Sequence, residues 1–150
     1  MSKEVSKLNL YFSSAVKASY EVAFISVPVL VWSVVIFSLG GSPEEVKKLA
    51  AWPFLALALF STALKDGISA FHLDTKKDKQ QREVVLTASI IGIVLSTVLL
   101  TLAILKSRQE VVGLFDTFYE YVFMLVFAGI ATLFATKVIL IQRVYYDHYV

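Results

Sequence analysis

The chain has no cysteine and only two histidines among its 150 residues, and both features limit its chemistry. Without cysteine there can be no disulfide, no thiolate nucleophile and no Cys-ligated metal site. His72 and His148 are far apart, and neither a His-Glu-x-x-His spacing nor a glycine-rich phosphate loop accompanies them. We therefore expect no catalytic residue, no metal site, no cofactor and no enzymatic activity. An enzyme site assembled from several helices is the alternative.

Charged residues are also scarce. They make up 17% of the chain, whereas hydrophobic residues make up 57% and the mean hydropathy is +0.72. Soluble domains carry about 45–50% apolar residues, and a chain of this length has too little interior to bury more. The net charge of +2 is too small to indicate nucleic-acid binding. The composition predicts an all-α membrane protein whose first partner is the lipid bilayer.

Long runs without charge divide the chain into candidate membrane spans. A helix needs about 20 apolar residues to cross ~30 Å of hydrocarbon. Such runs occupy approximately 22–39, 49–64 and 84–105, and the fourth span lies within 117–141, where Glu120 and Lys137 interrupt it near its ends. The segment 65–83 is predicted as the cytoplasmic loop between the second and third spans, with its first part, up to Leu73, as an interfacial extension of the second span. Ser42, Pro43 and Glu45 form a capping-box pattern that predicts a helix start. We expect a single membrane domain, 1–150, built as a bundle of four transmembrane helices.

Basic residues are distributed unevenly between the two sides that four crossings create. Ten of the 14 Lys and Arg fall on the side that holds both termini and the segment 65–83. Because Lys and Arg are enriched in cytoplasmic loops, we expect an inner-membrane protein with both termini in the cytoplasm. Apolar residues before the first span, among them Leu8, Tyr11, Phe12 and Ala15, recur at helical spacing. This pattern predicts an amphipathic helix at the cytoplasmic interface, or a cytoplasmic extension of the first span.

Small residues recur at helical spacing in the last two spans. They are Ser89, Gly92 and Ser96 in the third span and Gly129, Thr132 and Thr136 in the fourth. Helices in lipid approach closely where their residues are small. We therefore expect the two stripes to face protein rather than lipid, and to face each other. A pore-lining role for the hydroxyl groups of Ser26, Ser33, Thr132 and Thr136 is the alternative.

An ionisable residue inside a span is a candidate for function, because its burial in the membrane is costly. Glu21 stands at the start of the first span, and Lys137 stands one turn before the end of the fourth. With both termini on one side, the two residues lie at nearly the same depth. They can form an intramembrane pair between the two helices. The alternative is that Lys137 extends to the lipid headgroups.

The opposite ends of the last two spans carry charges of both signs. Asp116 and Glu120 are one helical turn apart at the start of the fourth span. Lys106 and Arg108 follow the third span, across a short connection. We expect these acids and bases to pair structurally, with selection of cations as the alternative role.

Two polar segments on the predicted cytoplasmic side are candidate contact surfaces. The first is basic and can attract anionic headgroups or a protein. The second is the aromatic C-terminal segment, whose Tyr and His side chains offer large amphipathic contact areas. The residues concerned are Lys76, Lys77, Lys79, Arg82, Tyr145, Tyr146, His148 and Tyr149.

Four spans with an acidic residue in the first resemble the small multidrug transporters, but Glu21 lies at the membrane edge and the glycine-rich dimerisation pattern is missing. In size and topology the chain also resembles small four-helix proteins of bacterial phage-defence and toxin-immunity systems. We expect a non-enzymatic homo-oligomeric platform, or scaffold, that senses the envelope or recruits a cytosolic partner. The alternatives are a pore-forming, depolarising effector or small ion channel, and a small proton-coupled transporter.

Overall fold

The structure is a computed structural model that describes the backbone of residues 2–69, 76–107 and 117–147. Side chains are described for residue 9 and for residues 11–69, 80–107 and 117–139. The helices are α1 (Ser2–Ser38), α2 (Pro43–Lys47), α3 (Ala51–Ser69), α4 (Lys76–Ser107) and α5 (Phe118–Asp147). Four helical segments of this described part are long and apolar enough to cross a membrane. The predicted all-α fold with four helices of membrane-spanning length is confirmed.

Three helices extend well beyond the predicted spans. α1 has 37 residues, which is about 55 Å of helix against ~30 Å of hydrocarbon. α4 has 32 residues and α5 has 30. The segment 65–83, predicted as a loop, is helical up to Ser69 and again from Lys76, because its Lys, Gln, Arg and Glu residues are good helix formers. α1 continues without a break from the N-terminal segment into the first span.

The helices alternate in direction, so the bundle has two distinct ends. Lys137 of α5 contacts Glu21 of α1, and Gly67 of α3 lies against Leu86 of α4. These contacts place the middle of α1, where its apolar span begins, and the first turns of α4 beside the ends of α3 and α5. We call this end of the bundle the N-terminal end. The opposite end carries the α1–α3 connection.

α3 is the central helix of the bundle, and α1 is peripheral. Leu55, Leu59 and Ala63 of α3 form a buried cluster with Val126 of α5 and Val29 of α1. One third of the apolar stretch of α3 is buried, 33%, but only 6% of that of α1. α1 packs against α3 and α5. Much of its apolar surface is therefore available to lipid or to another chain.

The two stripes of small residues both pack against α3. A Cβ on Gly92 would overlap the ring of Phe60, and a Cβ on Gly129 would lie 3.1 Å from Leu59 Cβ. The prediction that the stripes face each other was wrong, because side chains of α3 occupy the space in front of both glycines. Of the remaining stripe residues, Thr132 is partly buried and the others are buried, namely Ser89, Ser96 and Thr136.

The connection between α1 and α2 is closed by hydrogen bonds of the two helix ends. Gly40 has a φ of 79°, a backbone conformation that glycine adopts without steric cost. The Gly41 N–H donates to Ile36 O at 2.9 Å, as in a Schellman helix end. The Ser42 N–H donates to Glu45 Oε1 at 3.2 Å. The predicted helix start at Ser42 is confirmed.

Candidate functional site

Three charged side chains from three helices meet inside the bundle, and we call them the charged triad: Glu21, Asp66 and Lys137. Lys137 Nζ lies 2.5 Å from Glu21 Oε1 and 2.6 Å from Asp66 Oδ2. Lys137 is buried, with 9% of its surface exposed. One ammonium therefore links α1, α3 and α5 close to the N-terminal end.

Local helix geometry turns each member of the triad inward. On α1, Glu21 belongs to the inward face that also carries Ala18 and Ile25. On α3, Asp66 follows the buried Ala63 by three residues, which is the spacing of neighbours on one helix face. Lys137 follows the buried Leu133 by one turn on α5. The triad thus continues the same faces that form the apolar core.

The charges of the triad do not balance. Two carboxylates surround one ammonium, so the fully ionised cluster carries a net charge of −1. Glu21 Oε2 is buried and accepts no hydrogen bond within the described part of the chain. A buried carboxylate oxygen without a donor is unfavourable. The fully ionised triad therefore lacks one positive charge for neutrality, and Glu21 Oε2 lacks a donor.

Other cations lie around this end of the bundle. Arg82 of α4 is buried and precedes Leu86, the residue that touches Gly67, by one turn. Lys17 of α1 and Lys65 of α3 are exposed. Unlike these two lysines, Arg82 lies inside the bundle at the N-terminal end, and its charge adds positive potential there. Its burial differs from the predicted surface role, because Arg82 stands on the same inward face of α4 as Ser89.

Asp66 is the member of the triad that the sequence analysis missed. The sequence places it with Lys65 in an interfacial extension of the second span, and so it does not stand out as a buried charge. The spacing of Leu59, Ala63 and Asp66 was the available signal. Those positions lie on one face of a helix, and that face would enter the bundle if the helix continued past residue 64.

At the opposite end, aromatic contacts replace the predicted ion pair. Lys106 Nζ lies 5.3 Å from the centre of the Tyr119 ring, within reach of a cation–π interaction. The Tyr119 hydroxyl donates to Lys48 O at 3.0 Å. Glu120 is exposed, and no ion pair between it and Lys106 is found among the described side chains. Lys106 lies over Tyr119 rather than beside Glu120, and the pairings that involve Asp116 or Arg108 stay predictions.

Several predicted contact residues lie outside what the structure describes. The backbone of Lys76, Lys77 and Lys79 belongs to α4 and that of Tyr145 and Tyr146 to α5, but their side chains are not among those described. The partners proposed at the opposite end, Asp116 and Arg108, and the C-terminal residues His148 and Tyr149 also lie outside the described residues.

The hydroxyl groups considered for a pore are occupied by bonds within their own helices. Ser26 and Ser33 donate to the carbonyls four residues earlier, at 2.7 and 2.8 Å. Thr132 and Thr136 do the same, each at 2.8 Å. Such bonds satisfy the hydroxyl donor locally. The hydroxyl donors of these four residues are therefore satisfied within their own helices.

Neither a metal cluster nor a known relative assigns a function to this chain. Within the described residues, no group of three or more His, Cys, Asp or Glu side chains could hold a metal ion. Comparison of the chain with protein families, curated proteins and solved structures finds no match.

Proposed function

We propose that this chain is a non-enzymatic, homo-oligomeric inner-membrane platform that recruits a cytosolic protein at its N-terminal end. The observation that carries the proposal is the length of three helices beyond the charged triad. From Glu21 back to Ser2, α1 spans about 28 Å, and from Lys137 to Asp147, α5 spans about 15 Å. α4 likewise begins before Leu86, at Lys76. With these extensions, the three helices are longer than a membrane crossing requires.

The three extensions begin beside one groove at the level of the membrane boundary. Tyr11 of α1, Gln80 of α4 and Ile139 of α5 line one groove. A projection built of three helices gives a partner a more rigid surface than separate loops would, and rigid surfaces bind with a smaller entropic cost. This projection is the docking surface for the cytosolic protein.

The charge distribution supports a cytoplasmic orientation for the projection. Ten of the 14 basic residues belong to the segments at the N-terminal end, and the positive-inside rule favours that side for the cytoplasm. Both termini then face the cytoplasm. In size and topology the chain resembles small proteins of phage-defence and immunity systems, and a role in such a system stays a prediction.

The proposal is tested by purifying the tagged chain from native membranes in mild detergent and identifying stoichiometric soluble proteins by mass spectrometry. A variant with Lys76→Gln, Lys77→Gln and Lys79→Gln should lose the partner. The matched control, Lys47→Gln with Lys48→Gln, removes cations at the opposite end and should keep it. Equal partner recovery with both variants, or no partner with the unmodified chain, would contradict the proposal.

A second candidate function, proton-coupled transport, is favoured by the charged triad alone. A cluster with two carboxylates and one lysine has one carboxylate in excess, and such groups form proton relays in transporters. Proton uptake into proteoliposomes, followed with an enclosed pH dye, tests it. Glu21→Gln and Asp66→Asn should each abolish the flux, whereas Glu44→Gln in the exposed pair with Lys47 should not. An unchanged flux with both triad variants would exclude the triad as the carrier.

A further inference from the structure

A groove of about 650 Å³ opens at the N-terminal end between α1, α4 and α5. Its floor is apolar and includes Val85 of α4 and Val138 of α5, while Tyr11, Gln80 and Gln81 provide polar groups. The volume falls within the range of about 300–1,000 Å³ that is typical of ligand sites. The groove can thus hold one amphiphilic molecule.

The groove lies at the level where the apolar spans give way to polar sequence. Val84, which is the first residue of the charge-free run of α4, lines the groove together with Gln80 and Gln81, which precede that run. On α5 its lining residues, Phe134 and Val138, flank Lys137 of the charged triad. Val84 and Phe134 are exposed. Because of that exposure the groove opens outward, toward the lipid that surrounds a membrane-spanning bundle.

Basic residues precede the polar rim of the groove at the start of α4. Gln80 and Gln81 belong to the first two turns of α4, which begins with Lys76, Lys77 and Asp78, followed by Lys79. Cations near the membrane surface each attract anionic headgroups. The N-terminus of a long helix adds a positive partial charge of its own. Both effects favour an anionic group over a neutral one at the rim.

We propose that this groove binds one anionic phospholipid, with an acyl chain on its apolar floor and the phosphate group toward the start of α4. A phospholipid matches the apolar floor, the polar rim and the charge at once. A protein helix would leave the excess positive charge at the rim uncompensated unless it were acidic. The site goes beyond the proposed platform function, since it requires no cytosolic partner.

The test uses the full chain reconstituted in vesicles of phosphatidylcholine and phosphatidylglycerol, then transferred to a neutral detergent for native mass spectrometry. The unmodified chain should retain one phosphatidylglycerol in preference to phosphatidylcholine. Ala135→Trp fills the groove and should lower that retention at least about tenfold, or 1.4 kcal/mol. Ala128→Trp, on the same helix, faces a different groove with Leu95 and Val98 and should retain the lipid.

A second variant separates the charge from the shape of the site. Replacing Lys76, Lys77 and Lys79 with Gln leaves the groove open, and it should reduce the preference for phosphatidylglycerol by on the order of tenfold or more. Equal retention of both lipids by the unmodified chain would overturn the assignment to an anionic lipid. Equal loss of lipid in Ala128→Trp and Ala135→Trp, or no loss in either, would overturn the groove as the site.

Discussion

Lys137 and Asp66 form an ion contact of 2.6 Å between Nζ and Oδ2 that joins the last span to the central helix. Glu21 contacts the same ammonium from α1. Separating these charges in apolar surroundings is costly, so the triad restricts sliding and rotation of the three helices. α1 depends on the triad most, because little of its apolar stretch is buried against the bundle.

Removing the cation of the triad should destabilise the protein strongly. Lys137→Met leaves Glu21 and Asp66 close together without a counter-charge, and loss of one partner of a buried ion pair costs about 3–5 kcal/mol. We expect a decrease of about 3 kcal/mol in the free energy of unfolding. The measurement is an SDS titration in mixed micelles, followed by far-ultraviolet circular dichroism.

Neutralising the whole triad distinguishes the unbalanced charge from lost packing. The variant with Glu21→Gln, Asp66→Asn and Lys137→Met has no buried charge in the triad, and neutral replacements of complete ion clusters are often tolerated. It should therefore recover most of the stability that Lys137→Met loses. Lys47→Met, in the exposed pair with Glu44, should change stability by less than about 1 kcal/mol. A triple variant as unstable as Lys137→Met would refute the electrostatic explanation.

Gly92 should be the more sensitive of the two glycines that face α3. The Cβ of Gly92→Ala would overlap the Phe60 ring, whereas that of Gly129→Ala meets Leu59 Cβ at 3.1 Å. Overpacking typically costs about 1–3 kcal/mol, so we expect a loss in this range for Gly92→Ala and a smaller one for Gly129→Ala. The unfolding free energies of the single variants and of Gly92→Ala with Phe60→Leu form a double-mutant cycle. Additive effects in this cycle would contradict a direct clash.

The sequence predicts the fold well because the bilayer restricts it strongly. Charge-free runs of sufficient length have few alternatives to membrane helices, and helical alternation places Glu21 and Lys137 at similar depth. Side-chain partners are less predictable, since periodicity shows which face of a helix is buried but not which helix covers it. Gly92 and Gly129 accordingly pack against α3 rather than against each other. Asp66 was missed because the adjacent Lys65 and the polar sequence that follows placed that stretch at the membrane interface rather than inside the bundle.

Two hydrogen bonds at the opposite end should each contribute to stability. The Trp52 indole N–H donates to Val46 O at 2.8 Å, and the Tyr119 hydroxyl donates to Lys48 O at 3.0 Å. Trp52→Phe and Tyr119→Phe leave these carbonyls without their donors, which costs about 1 kcal/mol for each bond. Thermal unfolding in detergent measures the loss. Tyr20→Phe, at a side chain that is 75% exposed, is the control and should leave stability unchanged. If Trp52→Phe and Tyr119→Phe were as stable as this control, the bonds would not contribute to stability.

The orientation of the bundle can be tested with single cysteines, because the natural sequence has none. Ser13 and Gln80 are exposed at the N-terminal end, and Lys47 is exposed at the opposite end, so each can be replaced by a single cysteine. If the positive-inside rule determines the topology, a membrane-impermeant maleimide should label only Lys47→Cys in intact spheroplasts. In inverted vesicles the same reagent should label only the other two positions. All three should react in detergent, which controls for thiol accessibility. The reverse labelling pattern would place the three-helix projection outside the cytoplasm and remove the basis for recruitment of a cytosolic partner.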